Sequence, residues 1–561
     1  MDYQPRLDDI HHLLMGVLDA PAQLQALSPY AEVDEALMQQ VLEEAGKFVA
    51  SEIAPLQRVG DETGAHFEAG RVTMPPGFRA AYQTFWQGGW PALACAPEDG
   101  GQGLPAVLEA VLYEMLSAAN HGWTMAPGLL HGAYECLKHH GSDALKARYL
   151  EKIATGEWLA TMCLTEPQAG SDLGLVRTKA QPLADGSFRI SGSKIFISGG
   201  EHDLTDNIVH LVLARLPDAP SGPKGLSLFL TPKILPEGQP NGVFCERIEE
   251  KMGLHGSPTC VMRFDEATGW LVGEPHRGLS AMFVMMNAAR LHVGLQGIAL
   301  LEAAWQKAHA YAQERRQMRA PGATQTSPIE DHPAIQRILR TQRAWIDGGR
   351  LLAYRTAIEL DILKHHPDAA RRESAQRWCS LITPVLKAAW TNQGFHGASA
   401  CLQVFGGHGY VREWGIEQIV RDARVTMIYE GTNEIQAIDL LRKVLPDGGA
   451  ALVALFEQLA AEQPLPPEVL DRFEQLRGLA ARLARASGDR PDLPYWVADD
   501  FLQAVALALL GWAGARIDSS LPQWQAAAKA LKTWVLPAFT LHVQIIDQQL
   551  SDTETAAPTA A

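Results

Sequence analysis

The chain has 561 residues, with 48 Lys and Arg against 64 Asp and Glu, which gives a formal charge of −16 at pH 7. A chain of this length forms more than one domain. Its acidic balance argues against a nucleic-acid partner, because phosphate binding needs a basic face. Seven scattered cysteines without a CxxC pair argue against a disulfide framework or a zinc ribbon and favour a reducing compartment. No signal peptide is predicted.

The first part of the chain, residues 1–159, is predicted to form an N-terminal helical domain. Apolar residues recur at helical spacing in residues 33–50 and again in residues 106–119. A segment rich in proline and glycine, residues 97–105, interrupts this pattern as a loop.

Residues 160–278 change to the pattern of short strands and tight turns. Residues 188–190 and 194–198 are predicted as two strands joined by a turn at Ser191-Gly192-Ser193. Further strands are predicted at residues 208–216 and 226–230. Short strands without intervening helices predict a small antiparallel β-barrel or sandwich, and we take the barrel as the middle domain.

Helical periodicity returns in residues 279–446, which are predicted to form a four-helix bundle in which Pro333 opens a long helix. Residues 447–550 are predicted as a C-terminal helical extension. Within them the apolar run 501–515 is too short to span a bilayer, so it is predicted to be a buried helix and no transmembrane segment is expected. The small, polar tail 551–561 is predicted to be disordered.

The order of the elements predicts an α+β protein that is mainly α. Helices, strands and helices follow one another in blocks, which differs from the alternating order of a doubly wound sheet. No GxGxxG motif is present, so a dinucleotide would not be held in a Rossmann manner. Histidine pairs lack carboxylate or cysteine neighbours at ligand spacing, so no metal site is expected.

Four polar or glycine-rich segments are candidates for ligand contacts. They are residues 162–172, 251–259, 403–410 and 421–434. Hydroxyl groups and glycines in such loops can approach a ligand closely. Each segment taken singly is read equally well as a turn or a helix end.

Glu430 lies just before a predicted helix that starts near Asn433, for which Thr432 or Asn433 is a plausible N-cap. A helix N-terminus favours anionic or carbonyl oxygen. The residues before Glu430 are apolar, and a carboxylate in apolar surroundings can act as a base near neutral pH. A solvated loop acid is the alternative reading of Glu430 on its own.

Together and in this order, the four segments resemble the acyl-CoA dehydrogenase family over residues 40–445. The most specific stretches are Thr165-Glu166-Pro167, residues 253–259 and residues 421–436. The N-terminal stretch and the extension look like the longer bacterial branch, which includes enzymes for long-chain acyl-CoA and for 3-(methylthio)propanoyl-CoA.

The resemblance implies FAD-dependent dehydrogenation of an acyl-CoA thioester to a trans-2-enoyl-CoA, as in fatty acid β-oxidation. Glu430 matches the base that removes the α-proton, while the flavin accepts the β-hydride and passes electrons to an electron-transfer flavoprotein. Some relatives place the base before an arginine on an earlier helix. Here that arginine matches Arg290, and the preceding Ala289 cannot act as a base.

The resemblance also implies the remaining site residues. Those matching FAD contacts are Met162, Leu164, Thr165, Phe196, Ile197, Ser198, Arg315, Gln403, Gly407, Thr432 and Glu434. Those matching substrate contacts are Gly170, Ser171, Tyr429 and Gly431. His255, Pro333 and Met318 depart from residues that are common in the family at these positions.

Two other functions are compatible with these motifs. An acyl-CoA oxidase would pass electrons to oxygen, and a non-catalytic flavoprotein of the same fold would bind nucleic acid. The acidic balance and the intact Tyr-Glu-Gly-Thr sequence at 429–432 count against the second. A homodimer or homotetramer is expected, with the extension replacing one interface if the protein is a dimer. The expected location is the cytoplasm, with peripheral contact to the inner membrane left open.

Overall fold

A computed structural model describes residues 2–517 and 521–555. The chain divides into two compact units. The sheet unit comprises residues 45–292, and the helical unit comprises residues 3–44 together with the chain from residue 293 onwards. Residues 3–44, which were predicted to lie in the N-terminal helical domain, belong to the helical unit by this division.

The sheet unit contains the second of the two helices predicted in the first part of the chain; the first is observed as Glu35–Phe48 and lies mostly in the helical unit. The predicted helix at 106–119 is observed as Ala106–Thr124, which is buried along almost its whole length and departs from helical geometry at Asn120. A small hairpin of strands β1, His66–Glu68, and β2, Arg71–Thr73, lies between helices. The other α-helices of this part are Gln57–Thr63, Phe78–Gln87, Leu130–His140, Asp143–Leu145 and Glu151–Ala154.

Seven further strands form the predicted sheet. They are β3 Leu159–Cys163, β4 Lys179–Pro182, β5 Phe188–Ser198, β6 Ile208–Arg215, β7 Leu226–Pro232, β8 Val243–Ile248 and β9 Thr259–Val272. Pairings run from β6 through β4, β5, β9 and β7 and return from β7 to β6, a closed ring as a barrel requires. The prediction of a purely antiparallel sheet differs in one detail, because β3 and β4 pair with β6 in parallel.

The predicted hairpin at residues 188–198 is wrong, since the whole segment forms the single strand β5. The register of β5 against β9 shifts between Ile190 and Gly192 and again between Lys194 and Ile197. Each shift is a bulge that bends the strand without reversing it. The Ser-Gly-Ser sequence therefore marks a bend within one strand and not a turn between two.

A buried ion pair fastens the loop after β3 to β5. Glu166 is 4% exposed and Lys194 is 0% exposed, and their charged atoms lie 2.9 Å apart. Glu166 also accepts hydrogen bonds from Thr178 Oγ1 at 2.6 Å and from the Arg177 N–H at 2.7 Å. Burial raises the pKa of Glu166, but Lys194 and these donors outweigh it and bring the pKa to about 2.

The helical unit contains most of the long helices. Its first helices are Leu7–His11, Ala20–Gln25 and Glu35–Phe48, the last of which reaches past residue 44. The bundle is formed by Gly278–Glu314, of which residues from 293 belong to this unit, and by Pro333–His365, Ala369–Val385, Thr391–Val404, Ile416–Arg424 and Asn433–Val444. Pro333 stands at the first helical position, as predicted, where proline needs no hydrogen-bond acceptor.

One helix in the described part of the chain, Gly278–Glu314, is long and apolar enough to cross a membrane by length and composition. Within its most apolar window, 61% of the residues are buried inside the protein, which is the pattern of a core helix. Length and composition do not test whether this helix crosses a membrane, so the absence of a transmembrane segment stays a prediction.

The extension continues the helical unit. Its helices are Ala450–Glu462, Pro467–Asp489, Leu493–Trp496, Ala498–Arg516, Pro522–Ala530 and Ala538–Thr555. Residues 501–513 are buried, as predicted for the apolar run. The last helix ends at Thr555, so the predicted tail is helical in its first five residues, and residues 556–561 lie outside the described part.

Close helix packing and a buried arginine hold the extension to the bundle. A Cβ atom at Gly348 would lie 2.2 Å from Leu510 Cδ1, so the helices Pro333–His365 and Ala498–Arg516 approach closely only because residue 348 is glycine. Arg355 donates to both carboxylate oxygens of Glu462, one at 2.8 Å, and lies 4.0 Å from the centre of the Trp378 ring. The extension therefore shares its core with the bundle.

Replacing Glu166 by Gln should lower the free energy of unfolding by about 3–5 kcal/mol, because it leaves the Lys194 charge buried without its counter-ion. Urea denaturation followed by circular dichroism measures the change. Glu266→Gln, which breaks the exposed pair with Arg189, is the control and should cost under about 1 kcal/mol. Equal effects of the two substitutions would contradict the prediction.

Since the folded pKa of Glu166 is about 2, below its ordinary 4.5, the contribution of Glu166 to the free energy of unfolding is complete above pH 4.5 and is lost as the pH falls toward 2.

Gly348→Ala should destabilise the protein by about 1–3 kcal/mol, because the added methyl group overlaps Leu510. Combining it with Leu510→Ala should cost less than the sum of the two single changes, since the smaller residue makes room. Gly478→Ala is the control: a Cβ there meets no atom within 4 Å in the helix Pro467–Asp489, so it should be neutral or stabilising. Additive effects at 348 and 510, measured by thermal unfolding, would show that the two helices do not meet as described.

Candidate active site

The segment around Glu430 joins two helices through a strained turn. The helix Ile416–Arg424 is followed by a short 3-10 turn, and the next helix begins at Asn433, as predicted. The Thr432 hydroxyl accepts a long hydrogen bond of 3.4 Å from the Ile435 N–H, which confirms Thr432 as the N-cap. Glu430 and Gly431 have φ of 56° and 87°, both in the left-handed region. For glutamate this conformation is unfavourable, so it persists only where neighbours impose it.

Glu430 lies among hydrogen-bonded polar neighbours. Glu430 itself is half-buried, and its carbonyl oxygen accepts a hydrogen bond of 3.0 Å from Gln436 Nε2. The preceding Tyr429 donates its hydroxyl proton to Gln296 Oε1 at 2.6 Å. Burial raises the pKa of Tyr429 well above its ordinary value, and the nearby charges of Glu430 and Asp422 raise it further. The Tyr429 ring and the Glu430 carboxylate are therefore close neighbours.

Glu434 lies in the first turn of the helix that follows. Its side chain is exposed, and a hydrogen bond with Thr432 lowers the pKa of Glu434 most, with smaller contributions from Lys387 and Arg424. A carboxylate in the first turn also interacts favourably with the positive end of the helix. Thr432 and Glu434 thus act on each other, and their predicted contact with FAD stays a prediction.

Arg315, Gln403 and Gly407 are exposed, and Tyr311 links the segments that carry them. Arg315 follows the end of the helix Gly278–Glu314, and its N–H donates to the Tyr311 carbonyl. The Tyr311 ring stacks on Phe405 with centroids 4.3 Å apart, and its hydroxyl lies 2.8 Å from His408 Nδ1. The arginine and the glycine-rich loop are therefore held near each other. A Cβ on Gly407 would meet nothing within 4 Å, so the loop presents open backbone.

In the sheet unit the predicted flavin-side residues come together where β3 ends beside β5. The Ile195 N–H donates to the Thr165 carbonyl at 2.9 Å, and Lys194 Nζ donates to the Leu164 carbonyl at 2.9 Å. Met162 and Ser198 are half-buried beside them. Gly170 and Ser171 are exposed in the loop that follows β3.

Phe196 stands out on the bulge of β5. It is 61% exposed and its φ is 58°, an unusual combination for a large aromatic residue in a strand. Ile197 beside it is only 2% exposed, so its side chain belongs to the sheet core. Within the sheet unit, an exposed aromatic ring beside half-buried hydroxyls is a surface that fits a flat ring system.

Two of the three departures from the family pattern, His255 and Pro333, have local structural roles. His255 Nδ1 lies 2.9 Å from Asp61 Oδ1, and its Nε2 lies 3.0 Å from the Lys251 carbonyl oxygen, so the imidazole fastens its loop. Pro333 starts a helix, and Met318 is 79% exposed with φ of 58°. Within the residues that the structure describes, no group of three or more His, Cys, Asp or Glu side chains could hold a metal ion.

The sequence analysis missed Lys387, which is fully buried and donates to the carbonyl of Gly431 at 2.7 Å. The available signal was a lone lysine within the apolar run from Val385 to Trp390. Glu166 was predicted only as part of a sequence motif, with no role of its own. The buried pair with Lys194 could not be read from residues that are separated in sequence.

Three family models match consecutive parts of the chain. They are the acyl-CoA dehydrogenase N-terminal domain at residues 36–157, the middle domain at residues 161–267 and the C-terminal domain at residues 276–445. A 3-methylmercaptopropionyl-CoA dehydrogenase of Ruegeria pomeroyi is 44% identical over 91% of this chain and 90% of its own length. The broad-specificity linear acyl-CoA dehydrogenase FadE5 of Mycobacterium tuberculosis is 36% identical over 77% and 73% of the two chains.

Solved structures share the fold, including the part after the bundle. An acyl-CoA dehydrogenase of Bacillus anthracis complexed with FAD gives a TM-score of 0.75 at 21% identity, covering 94% of this chain and 90% of its own. Caenorhabditis elegans ACDH-11 in complex with C11-CoA gives 0.74 at 20% identity, covering 99% and 97%. With all three family domains in order and a relative matching nearly the whole length, this chain belongs to the acyl-CoA dehydrogenase family, whose members are FAD-dependent oxidoreductases of acyl-CoA thioesters.

Proposed function

We propose that the protein oxidises an acyl-CoA thioester to the trans-2-enoyl-CoA, with Glu430 as the base. The observation that carries this proposal is the left-handed turn at Glu430, directly before a capped helix N-terminus and held from both sides by hydrogen bonds. A strained backbone at a fixed carboxylate is characteristic of functional sites. The carboxylate in the matching family position removes the same proton.

The reaction places specific demands on the residues of this chain. The α-proton of a thioester is too weakly acidic for a free carboxylate, so the negative charge that develops on the thioester oxygen must be stabilised as the proton leaves. We infer that the Glu430 carboxylate takes the α-proton and that its own N–H donates to the thioester oxygen. Bound FAD supplies the acceptor for the β-hydride. Tyr429 and the bound acyl chain exclude water, which favours proton transfer to Glu430.

The residues that we infer to hold FAD lie on loops, at strand ends and near helix ends. They are Met162, Leu164, Thr165, Phe196, Ile197, Ser198, Arg315, Gln403, Gly407, Thr432 and Glu434. Phe196 would pack against the ring system, and Arg315 would neutralise the diphosphate. We infer that Gly170, Ser171, Tyr429 and Gly431 contact the acyl-CoA.

For the substrate we propose a short acyl-CoA of the 3-(methylthio)propanoyl type. The support is the 44% identity to the R. pomeroyi 3-methylmercaptopropionyl-CoA dehydrogenase, which extends over 91% of the chain and so includes much of the extension. The more distant FadE5 is named for broad specificity toward linear acyl-CoA. Long straight chains, as in fatty acid β-oxidation, are therefore the alternative substrate.

We further propose that electrons pass to an electron-transfer flavoprotein and that the enzyme is a cytoplasmic homodimer. The extension supports a dimer because it covers the helices Pro333–His365 and Asn433–Val444 from within the same chain, using the buried helix Ala498–Arg516. Surface already covered in this way is not available to a further subunit. A tetramer in light scattering would exclude this arrangement.

Glu430→Gln should abolish reduction of the bound flavin by acyl-CoA, because an amide cannot take the α-proton. Anaerobic stopped-flow bleaching of the flavin band measures it, and we expect a loss of at least about 10³-fold. Glu457→Gln, an exposed glutamate on the helix Ala450–Glu462, is the matched control and should bleach like the wild type. A Glu430→Gln enzyme that bleaches as fast as the control would remove Glu430 as the base.

The substrate proposal predicts an order of rates across a panel of acyl-CoAs. 3-(Methylthio)propanoyl-CoA and butyryl-CoA should bleach the flavin fastest, and chains of twelve or more carbons should be slower by roughly 10-fold or more, since a pocket shaped for a short chain gains little from added methylenes. Fastest bleaching by the long chains would replace this proposal by the long-chain alternative. Rapid peroxide formation without an added acceptor would indicate an oxidase instead.

A further inference from the structure

Lys387 is a fully buried lysine beside the proposed base. It lies in a π-helical turn, Leu386–Trp390, between two helices of the bundle, and it is 0% exposed. Transferring an ammonium group from water to the protein interior is costly unless strong acceptors replace the lost water. Lys387 Nζ donates to the Gly431 carbonyl oxygen at 2.7 Å and to Asn433 Oδ1 at 2.9 Å. Both acceptors lie within three residues of Glu430.

Asn433 ties the same turn to the start of the next helix. Its Oδ1 also accepts a hydrogen bond of 3.1 Å from Thr391 Oγ1, and its Nδ2 donates to the Ala388 carbonyl at 3.0 Å. The Asn433 amide thus has donors and acceptors on the segment from Lys387 to Thr391. The first residue of the helix Asn433–Val444 is therefore fixed relative to the π-helical turn.

The two peptide groups that follow Cα of Glu430 are held by different side chains. The Glu430 carbonyl accepts from Gln436 Nε2 at 3.0 Å, and the Gly431 carbonyl accepts from Lys387. Left-handed backbone at Glu430 is unfavourable without such support. Because both carbonyl directions are fixed, the backbone directly after the Cα of Glu430 is held in place, which restricts the orientation of the Glu430 side chain.

We propose that Lys387 is a positioning residue for the dehydrogenation, which holds the Glu430–Gly431 turn through the Gly431 carbonyl so that the base keeps its reactive orientation. This role rests on the proposed function of Glu430. Lys387 does not exchange a proton with the substrate in this proposal; its ammonium group fixes a backbone oxygen. A displacement of the base by about 1 Å is enough to slow a reaction by roughly 100-fold, so loss of the contact should act on the chemical step.

The test compares Lys387→Met with Lys443→Met in the flavin-loaded enzyme. Lys443 is a matched control, because it also donates to a backbone carbonyl, that of Ser380 at 3.0 Å, but on the far part of the helix Asn433–Val444. We expect the limiting rate of flavin reduction at saturating acyl-CoA to fall about 100-fold in Lys387→Met and less than about 3-fold in Lys443→Met. Affinity for the enoyl-CoA product, measured by perturbation of the flavin spectrum, should stay within about 3-fold in both.

A purely structural role would reduce flavin content or affinity and leave the rate per bound flavin unchanged, and that result would overturn the proposal. If Lys387→Met does not fold, Lys387→Gln keeps a donor without the charge, and its limiting rate should lie between those of Lys443→Met and Glu430→Gln. A rate for Lys387→Gln equal to that of Lys443→Met would overturn the proposal in the same way. Failure of every acyl-CoA to reduce the wild-type flavin would instead overturn the proposed function and this role with it.

Discussion

Left-handed backbone at two consecutive residues, Glu430 and Gly431, is the constraint on which the proposed site depends. Glycine adopts this conformation without steric cost, whereas glutamate adopts it only where its neighbours hold it there. Three hydrogen-bonding groups hold the turn: the Thr432 cap, the Gln436 amide and the Lys387 ammonium group. A carboxylate on such a turn has few alternative orientations. The strain is thus offset by hydrogen bonds whose donors are buried in the bundle.

In the sheet unit, too, a buried lysine holds the backbone of a loop. Lys194 is fully buried and donates to the Leu164 carbonyl, as Lys387 does to the Gly431 carbonyl. In both places a buried ammonium group fixes the backbone of a loop that carries predicted ligand contacts. Lys194 has Glu166 as its ionic partner, which keeps the pKa of that carboxyl low, while Lys387 meets a backbone carbonyl and an amide oxygen. The long lysine side chain carries its donor group far into the core.

The extension is part of the same core as the bundle. Gly348 lets Leu510 approach the helix Pro333–His365, and Arg355 places its charge between Glu462 and the Trp378 ring. Buried arginine with a carboxylate on one side and an aromatic face on the other satisfies its fork of donors and its flat surface at once. The helix Ala498–Arg516 of the extension also packs against the helix Asn433–Val444 and the turn Leu386–Trp390, so the elements that carry Asn433 and Lys387 are supported from outside the three family domains. This support gives the extension a mechanical connection to the proposed active site.

Sequence alone determined the fold class, the place of the strand block, the start of a helix near Asn433 and the family, because these depend on local periodicity, capping chemistry and contiguous motifs. Between the two candidate caps, Thr432 and Asn433, the structure selects Thr432. It was wrong about residues 188–198, where a Ser-Gly-Ser turn signal marks a bulge inside β5, since the partner strand β9 decides whether a strand reverses or bends. Only the tertiary structure revealed the pairs Glu166–Lys194 and Lys387–Gly431, whose members lie 28 and 44 residues apart. No local pattern encodes such pairs, because burial and the direction of a long side chain are set by the packing of distant elements.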